Sequence, residues 1–345
     1  MSIVECVPNF SEGRDETVIA AIAAAITGVP GACLLDVDQG ADTNRTVYTF
    51  VGSPATVADA ALAAARAAYE LIDMKKHRGA HPRMGALDVC PFVPISDIDM
   101  EGCVALSKEV AGRLATELGV PVYLYEASAS KPERRSLADI RSGEYEGLAA
   151  KLSQPEWAPD YGEARFVPRW GATVVGAREC LIAYNVNLNT RDKKLAREVA
   201  LNIRETGRTT KDFVGNSVKT PGRLHAVRAI GWYIDSYRCA QVSINLLDYK
   251  TTPLHVVYET VKEEAEKLGL LVTGSEIVGL VPLEPIVAAG RYFLQKMGKS
   301  EGLSEAELVE TAVRSMGLTS VASFEIKKKI IEYAIKGEKY FPFQY

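Results

Sequence analysis

IVECVPNFSEGRDETVIAAIAAAIT, residues 3–27, holds a strand and a helix in immediate succession. Ile3 to Pro8 reads as the strand. Asp15 to Thr27 reads as the helix, because Val18, Ile22 and Ile26 recur every fourth residue and share one face. Working outward, Ala32 to Asp38 and Arg45 to Val51 are short β-branched runs separated by the turn-rich QGADTN, and Pro54 then opens a long helix to about Met74. Ala58, Leu62, Ala65, Tyr69 and Ile72 form its buried stripe.

The connection that follows, HRGAHPRMGALDVCPFVPI (77–95), is rich in glycine and proline and carries a strand at Ala86 to Phe92, with no helical period around its histidines. An amphipathic helix from Met100 to Leu118 buries Cys103, Leu106, Val110 and Leu114, stops at Gly119 and leads into the strand-like VPVYLYEA. From Cys180 the order recurs: strand CLIAYNVNL, helix Asp192 to Thr206, paired strands Val227 to Asp235 and Ala240 to Asp248, and helix Pro253 to Leu268. Asn9 in VPNFS and Asn187 in NVNLN read as equivalent places just after the first strand of each half, and Pro54 and Pro253 both open the second helix, which points to an internal duplication.

The expected fold class is therefore α+β: two tandem β-α-β-β-α-β (ferredoxin-like) subdomains with mainly antiparallel sheets facing a cleft, plus C-terminal helices. The expected divisions are 1–178, 179–300 and a helical extension at 301–345. GRTTKDFVGNSVKTPGR (207–223) has no counterpart in the first half and reads as a surface insertion; Phe324 to Ile335 reads as one helix before the aromatic tail GEKYFPFQY.

With 345 residues and 47% hydrophobic content the chain can bury a sizeable core. Forty basic and 44 acidic residues are spread evenly and give a formal charge of −4, which disfavours a nucleic-acid partner. Six scattered cysteines without a CxxC pair read as small buried hydrophobes of a reducing compartment. The N-terminus lacks a signal pattern and no run of eighteen apolar residues occurs, so a cytoplasmic location without membrane attachment is expected.

Dinucleotide, P-loop, serine-hydrolase and zinc-protease signatures (GxGxxG, GxxxxGK[ST], GxSxG, HExxH) are all absent. Of four histidines, His77 and His81 sit four apart, but Gly79 and Pro82 argue against a helix between them and no clustered Cys or Glu completes a ligand set, so no metal is expected. His81, flanked by Gly79, Pro82 and Gly85, reads either as a histidine presented to a ligand or as one that caps a turn.

VECVPNFSEGR, LLDVDQGADTNRTVYTFVG, HPRMGALDVCPF, FVPRWGATVVGARECLIAYNVNL and AIGWYI together resemble the formiminotransferase domain of glutamate formimidoyltransferases, from Met1 to at least Val281. The resemblance implies transfer of a formimino group from N-formimino-L-glutamate to tetrahydrofolate, in histidine degradation and one-carbon metabolism, by a homodimer. The chain ends at Tyr345, which implies the form without a cyclodeaminase domain.

Residue by residue, the resemblance implies His81 as general acid and base and Asp38 as the carboxylate that orients it, turn capping being the competing reading of Asp38. Arg45, Arg83 and Arg191 are the cations expected to meet the donor's two carboxylates, against the alternative of solvated surface arginines. Asn9 and Asn187 are expected to offer amides to substrate, against turn formation. Gly162, Glu163, Ala164, Arg165, Phe166, Val167, Pro168, Arg169, Trp170 and Gly171 match the family's folate-binding stretch, with Phe166 and Trp170 either against folate rings or in the core. Two other functions fit the same residues: formyl transfer from N-formylglutamate or 5-formyltetrahydrofolate, and folate binding without turnover.

Overall fold

A computed structural model describes residues 2–41, 43–79, 82–234, 237–298, 303–320 and 323–337. His81 and the tail from residue 338 lie outside the described residues. The chain divides into two compact units, one holding residues up to Glu179 and the final residues from Ile335, the other Cys180–Ala334.

The first unit begins with β1 (Ile3–Cys6) and β2 (Asn9–Phe10), one strand path interrupted at Val7 and Pro8, where proline removes a ladder donor. Then come α1 (Glu16–Thr27), β3 (Cys33–Gly40), β4 (Arg45–Gly52), α2 (Pro54–Leu71), β5 (Leu87–Ser96), α3 (Met100–Leu118), β6 (Val122–Glu126), α4 (Leu137–Arg141), α5 (Glu144–Leu152) and β7 (Thr173–Ala177). Local chemistry sets the ends: Asp15 caps α1, Ser53 with Pro54 starts α2, Asp99 caps α3, and left-handed Gly119 ends it. α2 stops three residues short of the expected end because Ile72 is extended and the Met74 N–H donates to Arg169 O at 3.0 Å.

β1 and β2 each pair antiparallel with β4 on one side and β5 on the other, and β3 pairs antiparallel with β4. β6 and β7 depart from the antiparallel expectation: β7 pairs parallel with β5 and with β6. The crossover through α3 between β5 and β6 is long enough for parallel chain directions, which a tight hairpin would forbid.

Alternation along the strands separates two apolar layers. Val4, Cys6, Tyr48, Phe50 and Phe92 pack with Ile22 and Ile26 of α1, Leu62 of α2 and Val110 of α3. On the opposite face, Val89, Tyr123, Tyr125 and Val174 pack with Ile140 of α4 and Leu148 of α5. Each such fully buried side chain contributes about 1.5–3 kcal/mol, and Ile22→Ala would remove one with no neighbour positioned to fill the gap.

The second unit runs β8 (Ile182–Leu188), α6 (Lys193–Ile203), β9 (Arg208–Lys211), β10 (Ser217–Thr220), β11 (Val227–Ile234), β12 (Cys239–Leu246), α7 (Leu254–Lys267), β13 (Val272–Val278), α8 (Leu283–Lys296), α9 (Glu305–Ser315), α10 (Ile326–Lys329) and the first residues, up to Ala334, of α11 (Ile331–Gly337). Its main sheet is antiparallel in the order β11-β12-β8-β13. Counting main-sheet strands from the start of each unit, both follow the order second, third, first, fourth: β3-β4-β1/β2-β5 in one and β11-β12-β8-β13 in the other.

Residues 207–223 hold the β9–β10 hairpin, whose turn Asp212 closes with 2.9 and 2.8 Å bonds from Val214 N and Asn216 N. The helix expected over 324–335 is two short ones. Ile330 is extended between them, and Val281 takes the neighbouring main-chain groups, donating to Lys329 O at 2.9 Å and accepting from Ile331 N at 3.0 Å. Among the described residues no helix is long and apolar enough to cross a membrane.

Candidate functional site

The loop containing His81 is fastened on both described flanks. On the N-terminal side, His77 is buried, with Nε2 2.8 Å from Asn44 O and Nδ1 3.2 Å from Arg83 Nε. A guanidinium N–H only donates, so Nδ1 accepts and Nε2 carries the proton. Burial pushes the His77 pKa below its ordinary value and the nearby Arg83 charge adds to this, though the bond to Asn44 opposes it; the ring is a neutral strut.

Asn44 is the hub of this side. Its Oδ1 accepts from Gly13 N at 2.9 Å and its Nδ2 donates to Arg78 O at 2.9 Å, while its own backbone is left-handed at φ 48°. Gly79 is required by the close approach: a Cβ there would lie 2.2 Å from Thr43 O.

The other flank is held by Arg83, Ser11 and Asp88. Arg83 was expected to meet substrate carboxylates, and it meets the chain's own: Glu146 through a pair of 2.7 Å bonds and Glu144 at 3.2 Å. Those bonds hold the Glu146 carboxyl at about 2, but its side chain is 60% exposed, so water screens the pair to about 1 kcal/mol or less. Ser11 Oγ donates to Gly85 O at 2.7 Å, and Asp88 Oδ1 accepts from Met84 N at 2.7 Å. A cavity of about 510 Å³ lined by Arg78, Gly79, Arg83, Gly143, Glu144 and Glu146 adjoins the loop.

The stretch 162–171 docks on this same loop. Ala86 N donates to Trp170 O at 2.8 Å and Ala172 N to Met84 O at 3.2 Å, with Gly85 facing Gly171. Gly171 has φ 84°, and a Cβ on it would sit 2.0 Å from Met84 O, so only glycine permits the contact. Of the two readings of Trp170, the structure shows the core packing: it is fully buried, packs on Tyr69 at 5.6 Å and donates from Nε1 to Thr173 Oγ1 at 2.9 Å. Phe166 is half-buried against Tyr145 at 5.4 Å, Arg165 and Glu163 form an exposed 3.5 Å pair, and Arg169 donates to the carbonyls of Tyr69 and Glu70.

Asp38 and Asn9 flank Val47 in register on the sheet face opposite α1–α3. Two strand spacings, roughly 10 Å, separate them. Asp38 is exposed, whereas Asn9 is buried and turns Nδ2 back to Val7 O at 2.9 Å. Arg45 lies two residues along β4 on the same face; burial lowers its pKa, Arg141 adds to that, and Asp88 and Asp38 oppose it. The Arg141–Asp88 pair, 2.5 Å apart, completes this charged band.

In the second unit, Asn187 is 2% exposed and its Oδ1 accepts from Gln241 Nε2 at 2.8 Å. Gln241 also donates to Glu276 Oε1 at 2.9 Å and accepts from Trp232 Nε1 at 2.8 Å, while Asn185 and Tyr237 donate to Glu276 at 3.0 and 3.1 Å. None of these partners was singled out from the sequence, although polar residues at alternate positions of β8, where Ile182, Tyr184, Val186 and Leu188 are buried, were the available signal. Arg191 is exposed beside Asp192, the cap of α6. Among the described residues no group of three or more His, Cys, Asp or Glu could hold a metal; the six cysteines form no disulfide, and all are buried but the half-buried Cys239.

Fold and site together define an α+β protein of two similarly ordered sheet units, each with a polar cluster on a sheet face and, in the first, a glycine-bearing loop fastened at both ends. Residues 3–178 match the formiminotransferase domain, N-terminal subdomain, and residues 183–336 match the formiminotransferase domain. The chain belongs to the formiminotransferase domain family. It is 53% identical over 334 residues to the formimidoyltransferase-cyclodeaminase of Gallus gallus, covering 97% of this chain and 60% of that protein. It is 44% identical to the glutamate formimidoyltransferase of Streptococcus pyogenes serotype M1 (85% of this chain, 93% of that one) and 43% identical to that of Thermoplasma acidophilum (88% and 95%). The chain thus spans about 60% of the length of the formimidoyltransferase-cyclodeaminases it matches.

Proposed function

We propose that this chain transfers the formimino group of N-formimino-L-glutamate to N5 of tetrahydrofolate, giving 5-formiminotetrahydrofolate and L-glutamate. The observation that carries the reading is its 44% identity to a glutamate formimidoyltransferase of which it covers 93%, with the His81 loop inside the matched region. Tetrahydrofolate is the co-substrate, and histidine degradation in the cytoplasm, by a homodimer, is the setting that fits this reaction. Both units are read as copies of one ferredoxin-like β-α-β-β-α-β arrangement, for which the shared strand order is the support.

The chemistry follows from the groups. N5 adds to the amidine carbon to form a tetrahedral adduct, and the C–N bond to glutamate then breaks, with that nitrogen leaving as an amine. An amine leaves poorly unless protonated, so one group that takes the N5 proton and returns it to the departing nitrogen serves both steps. His81 has that role, worth about 10² to 10⁴ in rate. Asp38 orients and stabilises the imidazolium, and Arg45 and Arg191 meet the donor carboxylates. The fastening of Gly79, Arg83 and Gly85 to the body supports the reading, because a proton relay needs its loop held in place.

The test is glutamate release by the purified chain with tetrahydrofolate and either formiminoglutamate or N-formylglutamate, repeated with His81→Ala. The expected result is turnover with the formimino donor only, falling at least a hundredfold in the variant while tetrahydrofolate still binds. Full turnover in His81→Ala removes the histidine from the mechanism, and product from neither donor leaves folate binding alone.

A further inference from the structure

The second unit contains a cavity of about 390 Å³ whose wall is built from the Glu276 network and from Trp232, Ile277 and Phe324. Three features give it a chemical character. Gln241 is 1% exposed and its amide is locked, oxygen to Trp232 and nitrogen to Asn187 and Glu276, so neither end can flip. Asn187 stands behind Gln241, outside the cavity wall, and Lys329 lines the cavity with its Nζ donating to Ile277 O and Gly279 O at 3.2 Å each.

Glu276 accepts from Asn185 and Gln241 at Oε1 and from Tyr237 at Oε2, which fills three of the roughly four lone-pair directions of a carboxylate and leaves one on Oε2. Trp232 is 39% exposed although its N–H is bonded inward, so what the indole presents outward is ring surface. A fixed anion with room for one more donor and an indole beside it suit a flat heterocycle with N–H groups on one edge.

We infer that this cavity holds the 2-amino-4-oxopyrimidine edge of the reduced pterin, its ring N–H or 2-amino group donating to Glu276 and its ring lying against Trp232. The inference rests on the folate reading above and assigns the pterin to side chains outside the 162–171 stretch, whose Trp170 is enclosed in the core. The formimino donor fits less well, since it brings no ring to the indole, and the cavity's ammonium, Lys329, is already held by Ile277 O and Gly279 O at 3.2 Å each. A buried or half-buried carboxylate bond of this kind is expected to contribute about ten- to hundredfold in affinity.

The experiment uses the whole chain and two folate fragments, 6-methyltetrahydropterin and p-aminobenzoylglutamate, by calorimetry, with kinetics on tetrahydrofolate alongside. Glu276→Gln keeps the size and removes the charge, and Trp232→Leu removes the ring; thermal unfolding checks that both fold. Each variant is expected to weaken 6-methyltetrahydropterin at least tenfold and to raise the tetrahydrofolate KM, leaving p-aminobenzoylglutamate affinity and formiminoglutamate KM unchanged. Unchanged pterin affinity and unchanged tetrahydrofolate KM in folded Glu276→Gln overturn the site while the transferase stands. A rise confined to formiminoglutamate KM reassigns the cavity and overturns it too, and a native chain that neither binds the pterin nor turns over tetrahydrofolate overturns the inference together with the folate reading.

Discussion

Replacing Asn44 separates hydrogen bonding from backbone strain at the root of the His81 loop. Asn44→Ala leaves the Gly13 N–H without the Oδ1 that now accepts it at 2.9 Å, and an orphaned buried donor costs about 1–3 kcal/mol. It also removes the 2.9 Å bond to Arg78 O, about 1 kcal/mol, and places a Cβ-bearing residue less tolerant than asparagine at φ 48°, about 1 kcal/mol more. The expected total is about 4 kcal/mol. Asn44→Gly suffers the same bond losses without the strain and should be about 1 kcal/mol milder. Asn44→Asp keeps the acceptor for Gly13 and should fall by about 1–2 kcal/mol. Urea unfolding followed by tryptophan fluorescence in a Trp232→Phe background reads the first unit, because Trp157 and Trp170 both belong to it. Asn44→Ala within 0.5 kcal/mol of the parent, or a glycine variant no better than alanine, would refute the reasoning.

Stability should decline as pH falls below about 6.5, because His77 is kept neutral in the fold by burial while the unfolded ring takes up a proton. His255 has the same sign, so His77→Gln is expected to remove only part of the slope in urea midpoints between pH 7.5 and 5.5. Trp170→Ala should cost about 3–5 kcal/mol as a core truncation, whereas Phe166→Ala should cost about 1–2, so thermal scans will rank them even if both weaken folate binding. Trimming Asp212–Asn216 to a two-residue Asn-Gly turn should shift stability by less than about 0.5 kcal/mol, since Phe213 and Val214 are fully exposed; a cooperative loss in the same melt would contradict that.

Much of the architecture was legible where one physical signal dominated. Val18, Ile22 and Ile26 gave α1, Pro54 gave the start of α2, and Gly119 gave the end of α3, because a stripe or a cap is written locally. The parallel addition of β6 and β7 was not legible, since strand direction is set by which edge the chain returns to after α3, and no residue encodes that by itself. Ile330 breaks a helical pattern only because Val281, nearly fifty residues upstream, claims the adjoining backbone groups.

The site divides the same way. The pair His77 and His81 looks symmetrical in sequence, yet His77 is a strut between Asn44 and Arg83, a role visible only once strands 45–52 and helix 144–152 are brought beside the loop. Arg83 bonds Glu144 and Glu146 and Trp170 is enclosed in the core, partners that their residue types alone did not reveal. Side-chain type restricts what a residue can do; burial and partners then decide.

The polar network around Glu276 is physically informative because the fold does not need it. A sheet face of this kind is ordinarily made stable by apolar side chains, and polar groups withdrawn from water gain little net stability even when every bond is made. Asn187, Gln241 and Asn185 are nevertheless nearly enclosed; Asn185 and Gln241 donate to Oε1 of one carboxylate, Tyr237 to its Oε2, and Asn187 anchors Gln241 from behind. Such an arrangement stabilises a particular orientation of charge rather than the fold, and that is the property a recognition site requires, because the reorganisation has been completed before the ligand arrives. In the first unit the corresponding first-strand residue, Asn9, spends its donor on Val7 O, and the charged band beside it is formed by Asp38, Arg45, Asp88 and Arg141 instead. Two units with one strand order therefore carry different chemistry on their sheets: a neutral amide network ending in a single anion in one, and paired charges beside a fastened loop in the other. That division suits a reaction in which one partner is a heterocycle to be held still and the other a small dianion that must release its amine.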